Sequence, residues 1–363
     1  MSFLSLHEFH AGLNAQFTEI NGAEVVAHYG DWLAEHAALK NAVGVLDLSF
    51  RGRLCLLGAD RQSFLNGQVT NNVKNLKSGQ GCYAAIITAK GKMQSDLNIY
   101  NLKNEILLDF EPGLSEIVKK RLEKYIISED VQTVNVKPHY GLLSVQGPKS
   151  DEVVNRLLLG FVSPEKSLQF ASAKDETLGE IYLMNQSRIG TSGFDLFVPA
   201  DSLGAVADKL IAAAKQVGGR ACGWDALEVA RVESGIPRFG ADMDETNLPP
   251  EAGLDSRAVS YNKGCYIGQE VIARIRTYGQ VAKALRGLRL ADDLKSLPVK
   301  GDKLFFGEKE IGYITSAIAS PVLKTNIALS YIRREANKVG TELILRNQNG
   351  DSSVKIVELP FSG

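Results

Sequence analysis

Lys263-Gly264-Cys265-Tyr266-Ile267-Gly268-Gln269-Glu270, followed by Arg274, is the most distinctive stretch of this chain. Two glycines bracket a cysteine and a tyrosine. Gly264 and Gly268 allow close backbone approach or a positive φ. Lys263 stands two residues from Cys265 and favours a thiolate there, because a nearby cation stabilises the charged form. The plainer reading of the same residues is a small buried thiol in a glycine turn. On residue chemistry alone both readings stand.

The rest of the chain narrows the class of protein. It has 363 residues, of which 44% are hydrophobic and 23% charged, as in an ordinary globular protein of two or three domains. Forty-one Lys and Arg against 42 Asp and Glu leave a net charge of −1, so general nucleic-acid binding is not expected. No apolar run reaches the ~20 residues that span a bilayer, so no membrane association is expected. The N-terminus lacks the basic start and apolar core of a secretion signal, and a cytoplasmic location is expected. The other cysteines, Cys55, Cys82 and Cys222, lie far from Cys265 and from one another, without a C-x-x-C. A disulfide framework or zinc knuckle has no support, and with five histidines mostly near the N-terminus no metal site is expected. The dinucleotide-binding, P-loop and nucleophile-elbow motifs are all missing.

Hydrophobic periodicity gives the organisation. Helical spacing is read over 25–42, and short apolar strands at 44–49 and 53–58. Asp60 is expected to cap a helix through Leu65. Residues 81–88 and 96–100, joined by a turn at Lys90-Gly91-Lys92, read as a β-hairpin. Residues 116–124 form an amphipathic helix, with Ile117, Leu122 and Tyr125 as inward candidates. A strand over 142–148 precedes a helix opening at Ser150 or Asp151, and a strand–turn–strand covers 181–198. Helices at 202–217 and 224–234 follow, the first ended by Gly218-Gly219. From about Ala284 onward, short strands separated by Gly, Asp, Asn and Lys predict a small antiparallel barrel. The pattern is that of an α+β body with a C-terminal barrel.

The quoted stretch resembles the K-G-C-Y-x-G-Q-E signature of the YgfZ family of folate-binding proteins, relatives of the glycine-cleavage T-protein, an aminomethyltransferase. The resemblance covers most of the chain. Residues 64–73 (F-L-N-G-Q-V-T-N-N-V), Thr88-Ala89-Lys90-Gly91-Lys92, 143–148, 193–199, 230–237 and 250–254 are similar to blocks of that superfamily, and 311–316 to its barrel. It implies a three-domain cloverleaf of α+β class with a C-terminal antiparallel β-barrel. The three regions are drawn at 1–140, 141–280 and 281–363, with the K-G-C motif in the second.

The resemblance also assigns residues. A pterin offers adjacent N–H donors, for which a carboxylate is the matching acceptor. Asp195 falls at the superfamily's pterin-binding acidic position; read plainly, it is an exposed strand acid. Arg231 matches an arginine beside the folate; read plainly, it is a helix-surface ion pair. Tyr83 and Tyr100 correspond to pocket aromatics, with core packing as the alternative. Arg238 and Glu251 are unassigned candidates in the loop leading to the motif. Asp96 matches the second acid of the T-protein's G-G-x-x-D-D-L block, the acid near the reacting folate nitrogen, where it can steer protons. The alternative is a hairpin residue bonded locally. Here Ser95 replaces the first acid and Lys92 the second glycine.

The function implied is that of a tetrahydrofolate-binding accessory protein for iron–sulfur cluster assembly or repair. Tetrahydrofolate or a one-carbon derivative is the expected ligand, and iron–sulfur proteins or their assembly machinery are the expected partners. Cys265 and Asp96 are the expected functional side chains, within a motif comprising Lys263, Gly264, Tyr266, Gly268, Gln269, Glu270 and Arg274. Two alternatives remain open: an aminomethyltransferase of glycine cleavage, and a non-catalytic folate-binding module. If the protein is an enzyme, it is expected to be a folate-dependent one-carbon transferase.

Overall fold

The computed structural model describes residues 2–157, 160, 162–279, 281–292, 294–348 and 350–361. The chain divides into two compact units, one of residues 1–84 and 95–230, the other of residues 85–94 and 231–363. This division is coarser than the three regions read from sequence, and it groups 231–282 with the barrel. The boundary drawn at Gln280 lies outside the described residues.

The first unit contains a five-stranded sheet in the order Gln80–Ile87, Met93–Asn101, Ile106–Phe110, Gly52–Leu57, Gln132–Asn135. The tip of its first hairpin, residues 85–94, is counted with the second unit. A six-stranded sheet runs Phe170–Asp175, Gly179–Asn185, Gly193–Pro199, Tyr140–Gln146, Gly44–Asp47, Arg220–Ala221. Its last pair is parallel, and the other pairs are antiparallel.

The helix Leu203–Gln216 covers this sheet. Val206, Ala207, Leu210 and Ala214 recur at three- and four-residue spacing and are buried among Val43, Val145, Phe194 and Leu196. Each large aliphatic side chain so buried contributes roughly 1.5–3 kcal/mol. Gly218, at φ +84°, ends the helix as expected.

In the second unit six strands close an antiparallel barrel: Lys283–Leu290, Thr325–Arg333, Lys309–Ser320, Lys303–Phe306, Glu342–Asn347 and Gly350–Val357. Alternation fills its interior with Leu288, Leu290, Ile314, Ala328, Ile332, Leu345 and Ile356. These strands fall within the stretch read from sequence as short strands of a barrel.

Three local expectations are corrected. The helical reading of 25–42 is split: Ala23–His28 is a strand paired with Gln16–Ile20, and the helix is Trp32–Asn41. Gly30, at φ +100°, turns the chain, and the Asp31 side chain caps the helix by accepting from the Ala34 N–H. Asp60 precedes the helix Arg61–Gln68, but its side chain accepts instead from the Asp130 N–H, 2.9 Å away. In the helix Ser115–Glu123 the inward pair is Val118 and Leu122, one i,i+4 stripe; Ile117 is exposed.

Candidate functional site

Strand alternation assembles a charged face on the five-stranded sheet. Every second residue of a strand points the same way. Asn98 pairs across the strands with Asp109, and Asp109 with Arg53. Asp96 stands two residues before Asn98 in its strand, and Arg51 and Glu111 stand immediately beyond the ends of the strands that carry Arg53 and Asp109. The face carries Arg53, Asp96, Asn98 and Asp109, with Arg51 and Glu111 at the adjoining strand ends.

Most of these groups are mutually satisfied. Arg51 Nε donates to Asp109 Oδ1 at 2.8 Å, and its Nη1 donates to Glu111 Oε1. Asn98 Nδ2 donates to Asp109 Oδ2 at 3.0 Å. Arg188, from the loop before Gly193–Pro199, donates to Asp109 Oδ2 at 3.3 Å and to both oxygens of Asp195 at 2.5–3.1 Å. Ser144 Oγ donates to Asp195 Oδ1 at 2.7 Å, and Gln146 Nε2 supports Ser144 at 2.9 Å. Burial works against the charge of Asp109, but Arg51 and Arg188 outweigh it and hold its pKa below the ordinary value. Arg53 is fully buried, and desolvation lowers its pKa to about 10. It donates to the carbonyls of Ser49 and Tyr140.

Asp96 stands apart from this pairing. Its Oδ2 accepts from the Tyr83 hydroxyl at 2.7 Å. Its Oδ1 is buried without a hydrogen-bond partner among the described residues. Burial, and then the Glu111 carboxylate, push its pKa up to about 6, against the opposing pull of Tyr83 and Arg51. Tyr100 is buried edge-on to Phe170 and Phe197, and its hydroxyl is likewise without a partner among the described residues. An unsatisfied buried polar atom is uncommon and marks a place where a ligand or water belongs.

Of the residues singled out from sequence, Asp96, Tyr83, Tyr100 and Asp195 lie in the first unit. Arg231 and the K-G-C motif lie in the second. Asp195 is not an exposed strand acid: it is fully buried, with both oxygens taken by Arg188. Arg231 is not a surface residue either. It is 4% exposed, and its guanidinium holds Asp242 at 2.6 Å, Ser316 Oγ at 3.1 Å and the Ile236 carbonyl at 3.0 Å. Asp242 also accepts from Thr315 and Ser316, and Arg231 with these hydroxyls keeps it ionised against burial. Glu251 is buried and accepts from the Leu248 N–H in a short 3-10 turn. The Arg238 N–H donates to Asp242.

The motif leads into the helix Gln269–Tyr278. Gly268 precedes it at φ +83°, and a Cβ there would lie 2.4 Å from the Thr88 carbonyl oxygen. Gly264 has no such constraint, since a Cβ would meet nothing within 4 Å. Gln269 Oε1 accepts from the Tyr266 N–H at 3.2 Å, and Glu270 pairs with Arg274 on the exposed face of the helix. The Lys263 ammonium lies 4.9 Å from the centre of the Tyr266 ring. Cys265 is exposed, so the buried-thiol reading fails, while Cys55, Cys82 and Cys222 are buried. Lys92, in the hairpin tip, donates its ammonium to the Thr246 carbonyl.

Arg51, Asp109, Glu111 and Arg188 were not picked out from sequence. The first three carry a signal there: charged residues two apart, Arg51/Arg53 and Asp109/Glu111, within or beside otherwise apolar strands. Arg188 sits in a loop of Gln, Ser, Gly and Thr and carries no such signal.

An α+β body joined to a closed six-stranded barrel, with a half-satisfied carboxyl on its sheet, is the architecture these observations define. The family described as the GCVT N-terminal domain matches residues 6–263, and the glycine cleavage T-protein C-terminal barrel domain matches residues 283–362. The chain belongs to the glycine-cleavage T-protein family. It is 28% identical to the aminomethyltransferase of Halalkalibacterium halodurans over 357 residues, covering 98% of this chain and 96% of that protein. It is 29% identical to the aminomethyltransferase of Corynebacterium jeikeium over 387 residues, covering 98% and 97%. Its fold matches glycine cleavage system aminomethyltransferase T from Bartonella henselae with a TM-score of 0.90, at 22% identity, over 99% and 98% of the two chains. No helix among the described residues is long and apolar enough to cross a membrane.

Proposed function

We propose that this protein binds tetrahydrofolate and transfers a one-carbon group to or from it, in the manner of the aminomethyltransferases it resembles along its whole length. This reading displaces the iron–sulfur accessory role expected first, because the curated relatives that span the chain carry the aminomethyltransferase name.

The observation that carries it is the carboxyl of Asp96. Tyr83 fixes one oxygen, while the other is withdrawn from water and awaits a partner. A ligand nitrogen supplies that partner. A carboxyl with a pKa of about 6 can give up and regain a proton near neutral pH, as general acid–base work on a folate nitrogen demands. In this reading Asp195 supports the site through Arg188 and Ser144 and is not the ligand's acceptor. Arg51 and Asp109 fix the strands that present Asp96. The substitutions Ser95 and Lys92 leave Asp96 in place: Ser95 Oγ turns to the Asp96 carbonyl, and Lys92 to Thr246.

The test is calorimetric titration with tetrahydrofolate, followed by assay for methylene-tetrahydrofolate with an aminomethylated lipoyl carrier protein. Binding and turnover that both decline in Asp96→Asn support the reading. Absence of binding at millimolar ligand removes it.

A second reading rests on Cys265, the exposed one of the four cysteines, within the YgfZ-like motif. It makes the chain a folate-dependent accessory of iron–sulfur proteins. A deletion strain whose iron–sulfur enzyme activities return with wild type but not with Cys265→Ala would favour it.

A further inference from the structure

In the pair formed by Asp195 and Arg188, the base is the reachable member. The Asp195 side chain is wholly buried, while that of Arg188 keeps 11% of its surface accessible. Both Asp195 oxygens accept from Arg188, and Oδ1 also accepts from Ser144. Arg188 spends Nε and Nη2 on Asp195 and Asp109. Its remaining nitrogen, Nη1, has no hydrogen-bond partner among the described residues. The residue is held from both ends. Its backbone N–H donates to Gln146 Oε1 at 2.9 Å, and two carboxylates clamp its guanidinium. A guanidinium donates and never accepts. The pair therefore offers a ligand one fixed donor, where an unpaired aspartate would offer acceptors.

This donor lies close to Asp96. Asp96 and Asn98 alternate on the strand Met93–Asn101 and point the same way. Asn98 Nδ2 and Arg188 Nη2 meet at Asp109 Oδ2, at 3.0 and 3.3 Å. Two strand residues span roughly 7 Å, a length that a flat two-ring ligand can bridge. Charge restricts what such a ligand brings to Arg188. Arg51 and Arg188 already face three carboxylates, those of Asp109, Glu111 and Asp195. A ligand carboxylate would add to that excess, whereas a neutral carbonyl oxygen accepts from Nη1 without doing so.

We propose that Arg188 reads the ring carbonyl of the folate through Nη1, so that this chain recognises the pterin by its acceptor edge. The proposal rests on the folate reading of Asp96 and names a specificity-determining residue of that site. A pterin carries a carbonyl beside its N–H donors. An amino group in place of that carbonyl sets donor against donor and leaves Nη1 without its acceptor, a mismatch that a hydrogen-bonding site rejects strongly.

The experiment is calorimetry on the full-length protein with two ligands: tetrahydrofolate, and its diamino counterpart, which carries an amino group where tetrahydrofolate has the ring carbonyl. Wild type is expected to prefer tetrahydrofolate by about tenfold or more. Asp195→Asn alone keeps the guanidinium and is expected to keep the preference. Arg188→Met combined with Asp195→Asn removes the guanidinium without stranding the Asp195 charge, and Asp109 retains Arg51 and Asn98. This double variant is expected to bind the two ligands within about twofold of each other. Should it fail to fold, Arg188→Lys decides. Its one nitrogen is drawn to the carboxylates, and the preference is expected to shrink by about threefold or more.

Equal affinities in wild type, or a preference undiminished once the guanidinium is gone, would overturn the proposal and leave the folate reading standing. Binding of neither ligand to folded wild type would defeat both.

Discussion

The Tyr83 hydroxyl donates to Asp96 Oδ2 at 2.7 Å, while Asp96 Oδ1 is buried and has no hydrogen-bond partner among the described residues. One oxygen is therefore fixed by the protein, and in the proposed reading the other accepts from the ligand. Tyr83→Phe removes the fixed half. It is expected to raise the Asp96 midpoint, because a donor to the carboxylate is lost, and to weaken folate-dependent turnover by about tenfold or more. Carboxyl titration and steady-state kinetics check the two effects separately.

The pH dependence of stability carries a signature of Asp96. Burial and Glu111 raise its pKa in the folded chain to about 6, from the ordinary 3.8. The folded state therefore holds the proton more tightly than the unfolded state. This contribution is complete below the unfolded value and is lost as pH rises through about 6. It amounts to at most about 3 kcal/mol. Urea unfolding at pH 4 to 7 is expected to show this component in wild type and to lack it in Asp96→Asn.

Breaking the Arg188–Asp195 pair leaves a buried charge without its main partner. Asp195→Ala is expected to destabilise the first unit by about 3–5 kcal/mol. Asp195→Asn is expected to cost less, since the amide oxygen still accepts from Arg188. If Asp195 bound the ligand directly and did not support the fold, the two variants would bind folate poorly while melting like wild type.

Gly264 and Gly268 separate cleanly. Gly268→Ala places a Cβ 2.4 Å from the Thr88 carbonyl oxygen at φ +83°, and is expected to cost more than about 2 kcal/mol. Gly264→Ala meets open space and is expected to change stability by less than about 0.5 kcal/mol. Cys265→Ala, at an exposed position, belongs with the second group. Thermal melts of the three variants provide the check.

Much of the architecture was legible because long apolar periodicities report it. The helix Leu203–Gln216 and the barrel strands follow from spacing, with Gly218 ending the helix. The region around Val25 misled, because Val25 and Val26 suit a strand and a helix alike until the Gly30 turn is recognised. Asp96 was found through resemblance. Its environment was hidden, because the partner that fixes it, Tyr83, comes from the neighbouring strand 13 positions away. Arg188 reaches Asp109 across 79 positions from a loop without a pattern, and nothing local announces it. Cys265 was conspicuous in sequence, whereas its exposure depends on the packing of the helix that follows.

The most direct test of the account is formation of methylene-tetrahydrofolate by the purified protein, given tetrahydrofolate and an aminomethylated lipoyl carrier protein, in wild type and in Asp96→Asn. The account predicts product well above background in wild type and a loss of roughly 100-fold or more in Asp96→Asn, with the variant still folded. No product from folded wild type, or equal rates from the two proteins, would contradict it.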